Sequence, residues 1–232
     1  GMTMKKILLL ALLALGALLT AACGSDAAQT SGDAAKAAPV SEPSSAGAPA
    51  ASQQPAGKGK VLVAYFSRAG ENYRVGYIKK GNTHIMADMI ADVTGADTFE
   101  IKTVTPYPED YKACTEVARK EQDSDARPAL SGKVENWQDY DTVFLGYPIW
   151  WSDMPMAVYT FMESYDWTGK TIIPFCTSAG NVMTGRESDI PEFAKGAAVK
   201  EGLGLEGKRV QEQPDAVRPQ VEAWLASLGY KK

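Results

Sequence analysis

Three runs of apolar residues, each the length of a β-strand, constrain the fold of this chain most strongly. They are VLVAYF at 61–66, TVFLGY at 142–147 and TIIPFC at 171–176. Continuous rather than alternating apolar runs are typical of parallel strands that helices cover on both faces. Pro174 interrupts the last run, and because proline has no N–H to donate, we expect strand pairing to lapse beside it.

Amphipathic segments with helical spacing separate these runs. The first predicted helix starts at Thr83 and ends before Gly95. Three further helices are predicted over 111–122, 155–165 and 217–228. TFEI at 98–101 and a weak apolar patch at 203–205 are two further candidate strands. The alternation of strand and helix predicts an α/β fold with an open, doubly wound parallel sheet.

The N-terminal segment has the pattern of an export signal. Lys5 and Lys6 precede an apolar run over 7–19, and two alanines lead directly to Cys23. The run is shorter than the roughly 20 residues that a membrane-spanning helix needs. It resembles a bacterial lipoprotein signal, which predicts a signal peptide over 1–22 and acylation of Cys23. An ordinary secreted protein with a chance cysteine is the alternative.

Residues 23–59 are almost entirely small or polar, so they predict a flexible tether, and the folded domain is expected over 60–232. The net charge of the chain is −4. The two lysines of the signal and one net negative charge in the tether leave −5 on the domain. An acidic domain argues against nucleic acid as a partner and against electrostatic docking on anionic lipid, so the expected membrane link is the acyl chain.

Ligands of open parallel sheets bind outside the carboxyl ends of the strands. The segments that follow the three apolar runs are 67–70, 148–153 and 177–181. We expect these three loops to converge on one site.

The first two loops indicate what that site would hold. Ser67, Asn82 and Thr83 offer hydroxyl and backbone N–H groups near a helix start, which is a favourable place for a phosphate. Trp150 and Trp151 stand together in a loop, where two large aromatic rings are costly to leave in water unless a planar molecule covers them.

The segments YFSRAG, GNT, GYPIWWSDMP and IIPFCTSAG resemble the flavodoxin family over essentially all of 60–232. The resemblance implies five parallel strands in the order 2-1-3-4-5 and non-covalently bound FMN. It implies that the first loop holds the phosphate, the second meets the flavin and the third lines its far edge. The residues implied to hold the phosphate are Ser67, Arg68, Ala69, Asn82 and Thr83. Those implied to meet the flavin are Pro148, Ile149, Trp150 and Trp151. Those implied to line its far edge are Thr177, Ser178, Ala179 and Gly180.

The chain departs from the family pattern at residues 71–81, which separate the Ser67 loop from Asn82. This insertion carries Tyr73, Tyr77, Lys79 and Lys80. Two interpretations stay open: a lid over the ligand, or a surface excursion that leaves the two halves of the loop adjacent.

Other motifs are weaker. GLGLEG at 202–207 matches a dinucleotide-binding glycine pattern, but it follows no clear strand at a domain start and opens no evident helix. A hydrolase elbow at Ser178 lacks the preceding glycine, where Cys176 stands, and lacks a later histidine. Cys114, Cys176 and His84 are too few for a zinc site.

Single residues carry less weight. Cys176 is expected to be a small buried residue rather than a redox thiol, and a disulfide with Cys114 stays undetermined. His84 is expected to be solvated rather than a catalytic base. Arg68 either faces the phosphate or lies at an exposed rim.

The function predicted from these observations is an FMN-binding electron carrier anchored outside the cytoplasmic membrane, with no catalytic side chain. An FMN-dependent NAD(P)H or quinone oxidoreductase and a flavin-free binding module on the same fold are the alternatives. The sequence does not identify the redox partner, the potential or the oligomeric state.

Overall fold

The computed structural model describes residues 59–180 and 182–230. The predicted signal peptide, Cys23 and almost all of the predicted tether lie outside these residues. The strands are β1 (Lys60–Tyr65), β2 (Gly70–Asn72), β3 (Gly76–Ile78), β4 (Asp97–Glu100), β5 (Tyr140–Pro148), β6 (Thr171–Ser178), β7 (Ala198–Val199) and β8 (Leu203–Glu206). The α-helices are α1 (Asn82–Thr94), α2 (Tyr111–Asp123), α3 (Met156–Glu163), α4 (Ile190–Phe193), α5 (Gly207–Glu212) and α6 (Pro214–Ser227).

The main sheet is parallel throughout, with β4, β1, β5 and β6 as successive neighbours. At its outer edge, β7 pairs with the start of β6 and β8 pairs with its end. Because β7 and β8 share one position, the order corresponds to the predicted 2-1-3-4-5 arrangement with a divided fifth strand. The predicted open α/β sheet is confirmed.

Pro174 explains the division of the outer strand. β7 pairs with Thr171 and Ile172, and β8 starts to pair at Phe175, so Ile173 and Pro174 have no partner on that side. The imide of proline donates no hydrogen bond, and the ladder is interrupted at the position where that donor is missing.

Each apolar run buries both faces of its strand. In β1, Val63 and Tyr65 contact one core with α1, α5 and α6, whereas Leu62 and Ala64 contact the other core with α3 and α4. Successive side chains of a strand point to opposite faces, so a strand covered on both sides must be apolar at every position.

The helices α1, α2, α3 and α6 form where the apolar spacing predicts them, whereas the short helices α4 and α5 were not predicted. α1 buries Met86, Ile90 and Val93 on one face and ends at Gly95, whose φ of 69° is in the left-handed region that glycine adopts without strain. α6 buries Val217, Val221 and Leu225. Within the described ranges, no helix is both long and apolar enough to cross a membrane.

The insertion between β1 and α1 forms a structure of its own. β2 and β3 pair as a short antiparallel hairpin, separate from the main sheet. Its start at Gly70 is held by a backbone hydrogen bond from Glu71 N–H to the carbonyl of Glu109, 2.9 Å. The insertion is therefore an ordered hairpin docked on the segment that precedes α2.

Candidate functional site

The three loops predicted to meet do converge at the carboxyl edge of the sheet, around a cavity of about 380 Å³. A volume in this range is typical of sites for small molecules. Nine of the thirteen implied residues line the cavity: Arg68, Asn82, Pro148, Ile149, Trp150, Trp151, Thr177, Ser178 and Ala179. The other four, Ser67, Ala69, Thr83 and Gly180, do not appear in its lining.

Ser67 acts on the start of α1. Its Oγ accepts a hydrogen bond from the backbone N–H of His84, 3.1 Å. A side chain at Gly81 would clash with Ser67 Oγ and with the backbone of Arg68, so glycine allows the two segments to approach closely. The two halves of the interrupted loop therefore meet across the insertion, as the sequence predicts.

The start of α1 faces the cavity through Asn82. Gly81 precedes the helix and provides no side-chain cap. Asn82 lines the cavity, and its buried Oδ1 has no hydrogen-bond partner in the part of the chain that the structure describes. The first N–H groups of a helix carry partial positive charge and need acceptors. This end of the cavity is therefore suited to a ligand that combines an anionic group with a hydrogen-bond donor.

Thr83 contributes to the site without lining the cavity itself. The residue is 2 % exposed, and its Oγ1 lies 2.7 Å from Oγ1 of Thr177 at the end of β6. Thr177 lines the cavity and Thr83 does not. The hydroxyl pair joins the start of α1 to the third loop, so Thr83 influences the cavity through Thr177.

Trp150 and Trp151 occupy different environments. The Trp150 ring packs edge-on against Phe66 and Tyr107, with centroid distances of 5.3 and 5.1 Å. Trp151 is 50 % exposed, its Nε1 donates to the carbonyl of Thr115 at 3.0 Å, and the Arg119 guanidinium lies over its ring. One indole thus extends the core to the cavity, while the other stands at the rim against α2.

A tight turn presents this tryptophan pair. Trp150 and Asp153 exchange both backbone hydrogen bonds, and Trp151 and Ser152 have φ values of 51° and 62°. Two successive left-handed residues define a type I′ turn, which is costly without glycine. The buried carboxylate of Asp153 holds the turn, since its Oδ1 accepts from Met154 N–H and from the Tyr159 hydroxyl, both at 2.7 Å.

Arg68 is bound to backbone carbonyls. Its guanidinium donates to the carbonyls of Glu71 at 2.5 Å, Pro108 at 2.8 Å and Glu109 at 2.6 Å. These contacts tie the hairpin and the segment before α2 to the loop after β1. The predicted phosphate contact of Arg68 remains a prediction, and the observed bonds occupy most of its donors.

The hairpin forms one wall of the cavity. Tyr73 and Arg74 at its tip line the site, and the Tyr73 ring stacks on Tyr111 at a centroid distance of 6.1 Å. Tyr77 is exposed, and Lys80 pairs with Asp88 of α1. The tip matches the lid interpretation, whereas Tyr77, Lys79 and Lys80 are absent from the lining.

The third loop is small and polar at the cavity. Thr177, Ser178 and Ala179 line it, and the Ser178 hydroxyl donates to the carbonyl of Gly180 at 2.7 Å. Behind this loop, Cys176 is buried, with Sγ 3.3 Å from Sδ of Met183. Burial, with a smaller contribution from the nearby Glu187 carboxylate, raises the pKa of the Cys176 thiol to about 12. A thiol that stays protonated is a poor nucleophile, in agreement with a packing role.

Cys114 and Cys176 are both free, so the disulfide left open by the sequence is not formed. His84 packs against the Tyr65 ring and lies 3.6 Å from the Asp88 carboxylate. Among the described residues, no cluster of three or more histidine, cysteine or acidic side chains has the geometry of a metal site.

Two segments that line the cavity were missed by sequence reasoning. The first is α2, which contributes Tyr111, Cys114, Thr115 and Ala118. Their spacing of three and four residues places them on one helical face, whereas the sequence predicted only a helix over 111–122 and assigned no site to it.

The second missed segment is Glu206, Gly207 and Lys208, at the junction of β8 and α5. The expectation that the glycine pattern 202–207 opens no helix was wrong, because Gly207 is the first residue of α5. Its other glycines serve packing: a side chain at Gly202 would clash with the carbonyl of Pro174, and one at Gly204 would lie 2.7 Å from the backbone of Val182.

Comparison with known proteins agrees with this architecture. A family model described as flavodoxin matches residues 60–224. A crystal structure described as a flavoprotein of Bacteroides uniformis is 31% identical, covers 73% of this chain and 99% of its own, and superimposes with a TM-score of 0.57. The corresponding protein of Bacteroides eggerthii is 29% identical, with 75% and 99% coverage and a TM-score of 0.58.

A flavoprotein of Lactobacillus acidophilus, crystallised in complex with FMN, shares the fold at 20% identity, with 67% and 99% coverage and a TM-score of 0.50. Among curated proteins, none matches the chain significantly. The family match covers most of the chain and the whole parallel sheet with its three converging loops, and the chain therefore belongs to the flavodoxin family.

Proposed function

We propose that this protein is an FMN-binding electron carrier. The observation that carries the proposal is the cavity at the carboxyl edge of the sheet, which has on one side a helix start whose N-cap residue, Gly81, provides no side-chain cap, and a half-exposed tryptophan in its wall. A planar molecule with a phosphate tail matches both features. Membership of the flavodoxin family and the FMN complex of the Lactobacillus protein support the choice of FMN.

The phosphate end of the site would be the start of α1. The backbone N–H groups of Asn82 and Thr83 belong to the first turn there, and Oδ1 of Asn82, which has no partner among the described residues, is available to a hydroxyl of the ligand. Ser67 supports this end by capping the N–H of His84. These residues therefore fit a phosphate ester attached to a polyhydroxyl chain.

The ring end of the site would lie between the second and third loops. Trp150 and Trp151 supply aromatic surface, and Thr177 to Ala179 supply small polar groups at the opposite side. A contact between two aromatic rings stabilises a complex by more than the buried area alone predicts. We infer that the turn held by Asp153 keeps the aromatic wall in place before the ligand arrives.

When bound, FMN supplies reversible one- and two-electron chemistry. The chain's contribution is to enclose the ring with apolar surface and to surround it with an acidic domain. Both features disfavour additional negative charge in the cavity. We therefore expect the fully reduced protein to be a strong electron donor.

We also propose that the protein works outside the cytoplasmic membrane, attached through acylated Cys23. The support is the sequence alone: two lysines, an apolar run at 7–19 and a cysteine after two alanines. Metabolic labelling with a palmitate analogue tests it, with Cys23→Ser as the control. Labelling of the parent but not of the variant is expected, and equal labelling of both contradicts the acylation site.

Titration of the purified domain with FMN tests the cofactor. We expect quenching of tryptophan fluorescence, a yellow protein after gel filtration and one FMN per chain. A protein that stays colourless and shows no quenching is instead a flavin-free binding module.

Stopped-flow mixing of the FMN-loaded protein with NADH separates a carrier from an enzyme. A carrier is reduced only when a partner protein is supplied, so bleaching of the flavin absorbance by NADH alone should be absent. Rapid bleaching would identify an NAD(P)H oxidoreductase, with the hairpin wall at Tyr73 and Arg74 as the candidate donor-binding surface.

A further inference from the structure

The junction of β8 and α5 lies directly beside the start of α1. A side chain at Gly207 would come within 2.5 Å of Nδ2 of Asn82, so the backbone there touches the first residue of α1. Asn82, Gly207 and Lys208 all line the same cavity. The side chain of Lys208 is therefore attached next to the end of the cavity at which α1 starts.

The cavity lining contains three cationic side chains among the described residues, and one of them, Arg68, spends most of its donors on backbone carbonyls. Arg68 donates to carbonyls of Glu71, Pro108 and Glu109. Arg74 lies over the Tyr73 ring on the hairpin, with a distance of 5.1 Å from its guanidinium carbon to the ring centroid.

Lys208 has donors to spare. Its side chain is 47% exposed, and its Nζ lies 3.9 Å from Oε1 of Glu212, too far for a hydrogen bond. An ammonium group has three N–H donors, and this contact satisfies none of them at hydrogen-bond distance. A lysine side chain is also flexible enough to reach a ligand that arrives at the start of α1.

We propose that Lys208 is a phosphate-binding residue of this site and makes the protein prefer a phosphorylated flavin to an unphosphorylated one. The inference rests on the proposed function. A phosphate monoester carries up to two negative charges, and the partial charge at a helix start offsets only part of them. An ammonium group beside that helix start supplies the remaining attraction in a domain whose net charge otherwise repels anions.

The test compares FMN with riboflavin, which has the same ring and ribityl chain but no phosphate. Kd values for both are measured by fluorescence quenching for the parent protein, Lys208→Gln, Lys208→Arg and Lys195→Gln. Lys195 is exposed and outside the cavity lining, so its variant is a matched control for loss of one positive charge.

Lys208→Gln should weaken FMN binding by about three- to tenfold and leave riboflavin binding within about twofold. Lys208→Arg should restore most of the FMN affinity, and Lys195→Gln should resemble the parent. The loss caused by Lys208→Gln should also shrink as salt is raised, because ions screen a half-exposed charge.

The assignment is overturned if Lys208→Gln leaves the ratio of FMN to riboflavin affinity unchanged, which includes an equal loss of affinity for both ligands. In that case the proposed function still stands, provided that the parent protein binds FMN. Failure of the parent protein to bind FMN at all overturns both the assignment and the proposed function. The salt dependence of the FMN Kd decides the matter if riboflavin binds too weakly to measure: a slope equal to that of the parent contradicts the proposal.

Discussion

The hydroxyl of Thr83 in the first turn of α1 lies 2.7 Å from the hydroxyl of Thr177 at the end of β6. Both residues are almost fully buried, at 2 % and 3 % exposure. This bond joins the predicted phosphate end of the cavity to its third loop. A contact between residues 94 positions apart in sequence therefore connects two parts of one site.

Breaking this pair should reveal coupling between the two segments. Thr83→Val and Thr177→Val should each lower the free energy of unfolding by about 1 to 2 kcal/mol, because each leaves one buried hydroxyl unpaired. The double variant should cost less than the sum, as it removes both hydroxyls. Chemical denaturation measures these values, with the exposed Thr98→Val as the control. Strict additivity would show that the hydroxyls do not interact.

Replacing each of the two tryptophans should affect FMN binding and the free energy of unfolding differently. Trp151→Ala should weaken FMN binding by about 1 kcal/mol or more, with little effect on unfolding, because its half-exposed ring contributes mainly at the rim. Trp150→Ala should weaken FMN binding too, and in addition it should lower the free energy of unfolding by about 2 to 4 kcal/mol, since its ring packs on Phe66 and Tyr107. FMN titration and urea unfolding of both variants check this. Equal stability losses would contradict the different environments of the rings.

Loss of Arg68 should release the hairpin. Arg68→Ala removes hydrogen bonds to carbonyls of the hairpin and of the segment before α2, which should lower the free energy of unfolding by about 2 to 3 kcal/mol. Hydrogen exchange should become faster in 70–78 and 108–111 before it changes elsewhere. Arg68→Lys should recover little, because one ammonium cannot replace a planar guanidinium fork. Unaltered exchange in both segments would leave Arg68 free for the phosphate contact.

Cys176 should make the protein less stable in alkali. Its pKa is about 12 in the folded protein, against about 8.5 in an unfolded chain, so between these values the folded state holds more protons. Stability therefore falls as pH rises above about 8.5, by at most about 1.4 kcal/mol per pH unit for this group.

Cys176→Ala should reduce that slope, measured by urea unfolding between pH 8 and 10. Cys114→Ala provides a comparison, since burial raises the pKa of that thiol too and its removal should have the same sign. In the folded parent at pH 8, a thiol reagent should react with Cys176 only after unfolding. Rapid modification of Cys176 under native conditions would contradict its burial.

Much of the fold follows from local patterns in the sequence. The apolar runs at 61–66, 142–147 and 171–176 identify β1, β5 and β6, because a strand buried on both faces must be apolar at every position. The gap in pairing beside Pro174 follows from its missing N–H group. The convergence of three loops follows from a general property of parallel sheets, whose carboxyl ends share one edge.

The sequence by itself thus determined the parallel sheet, the helices α1, α2, α3 and α6 and the edge at which a ligand would bind, since strand and helix periods are expressed within a few consecutive residues. Only the tertiary structure decided that Arg68 binds the carbonyls of 108–110, that Thr83 pairs with Thr177, and that α2 and Lys208 reach the cavity. These contacts join residues tens or more than a hundred positions apart. Their partners are selected by how the helices pack on the sheet, and no local pattern in the sequence records that packing.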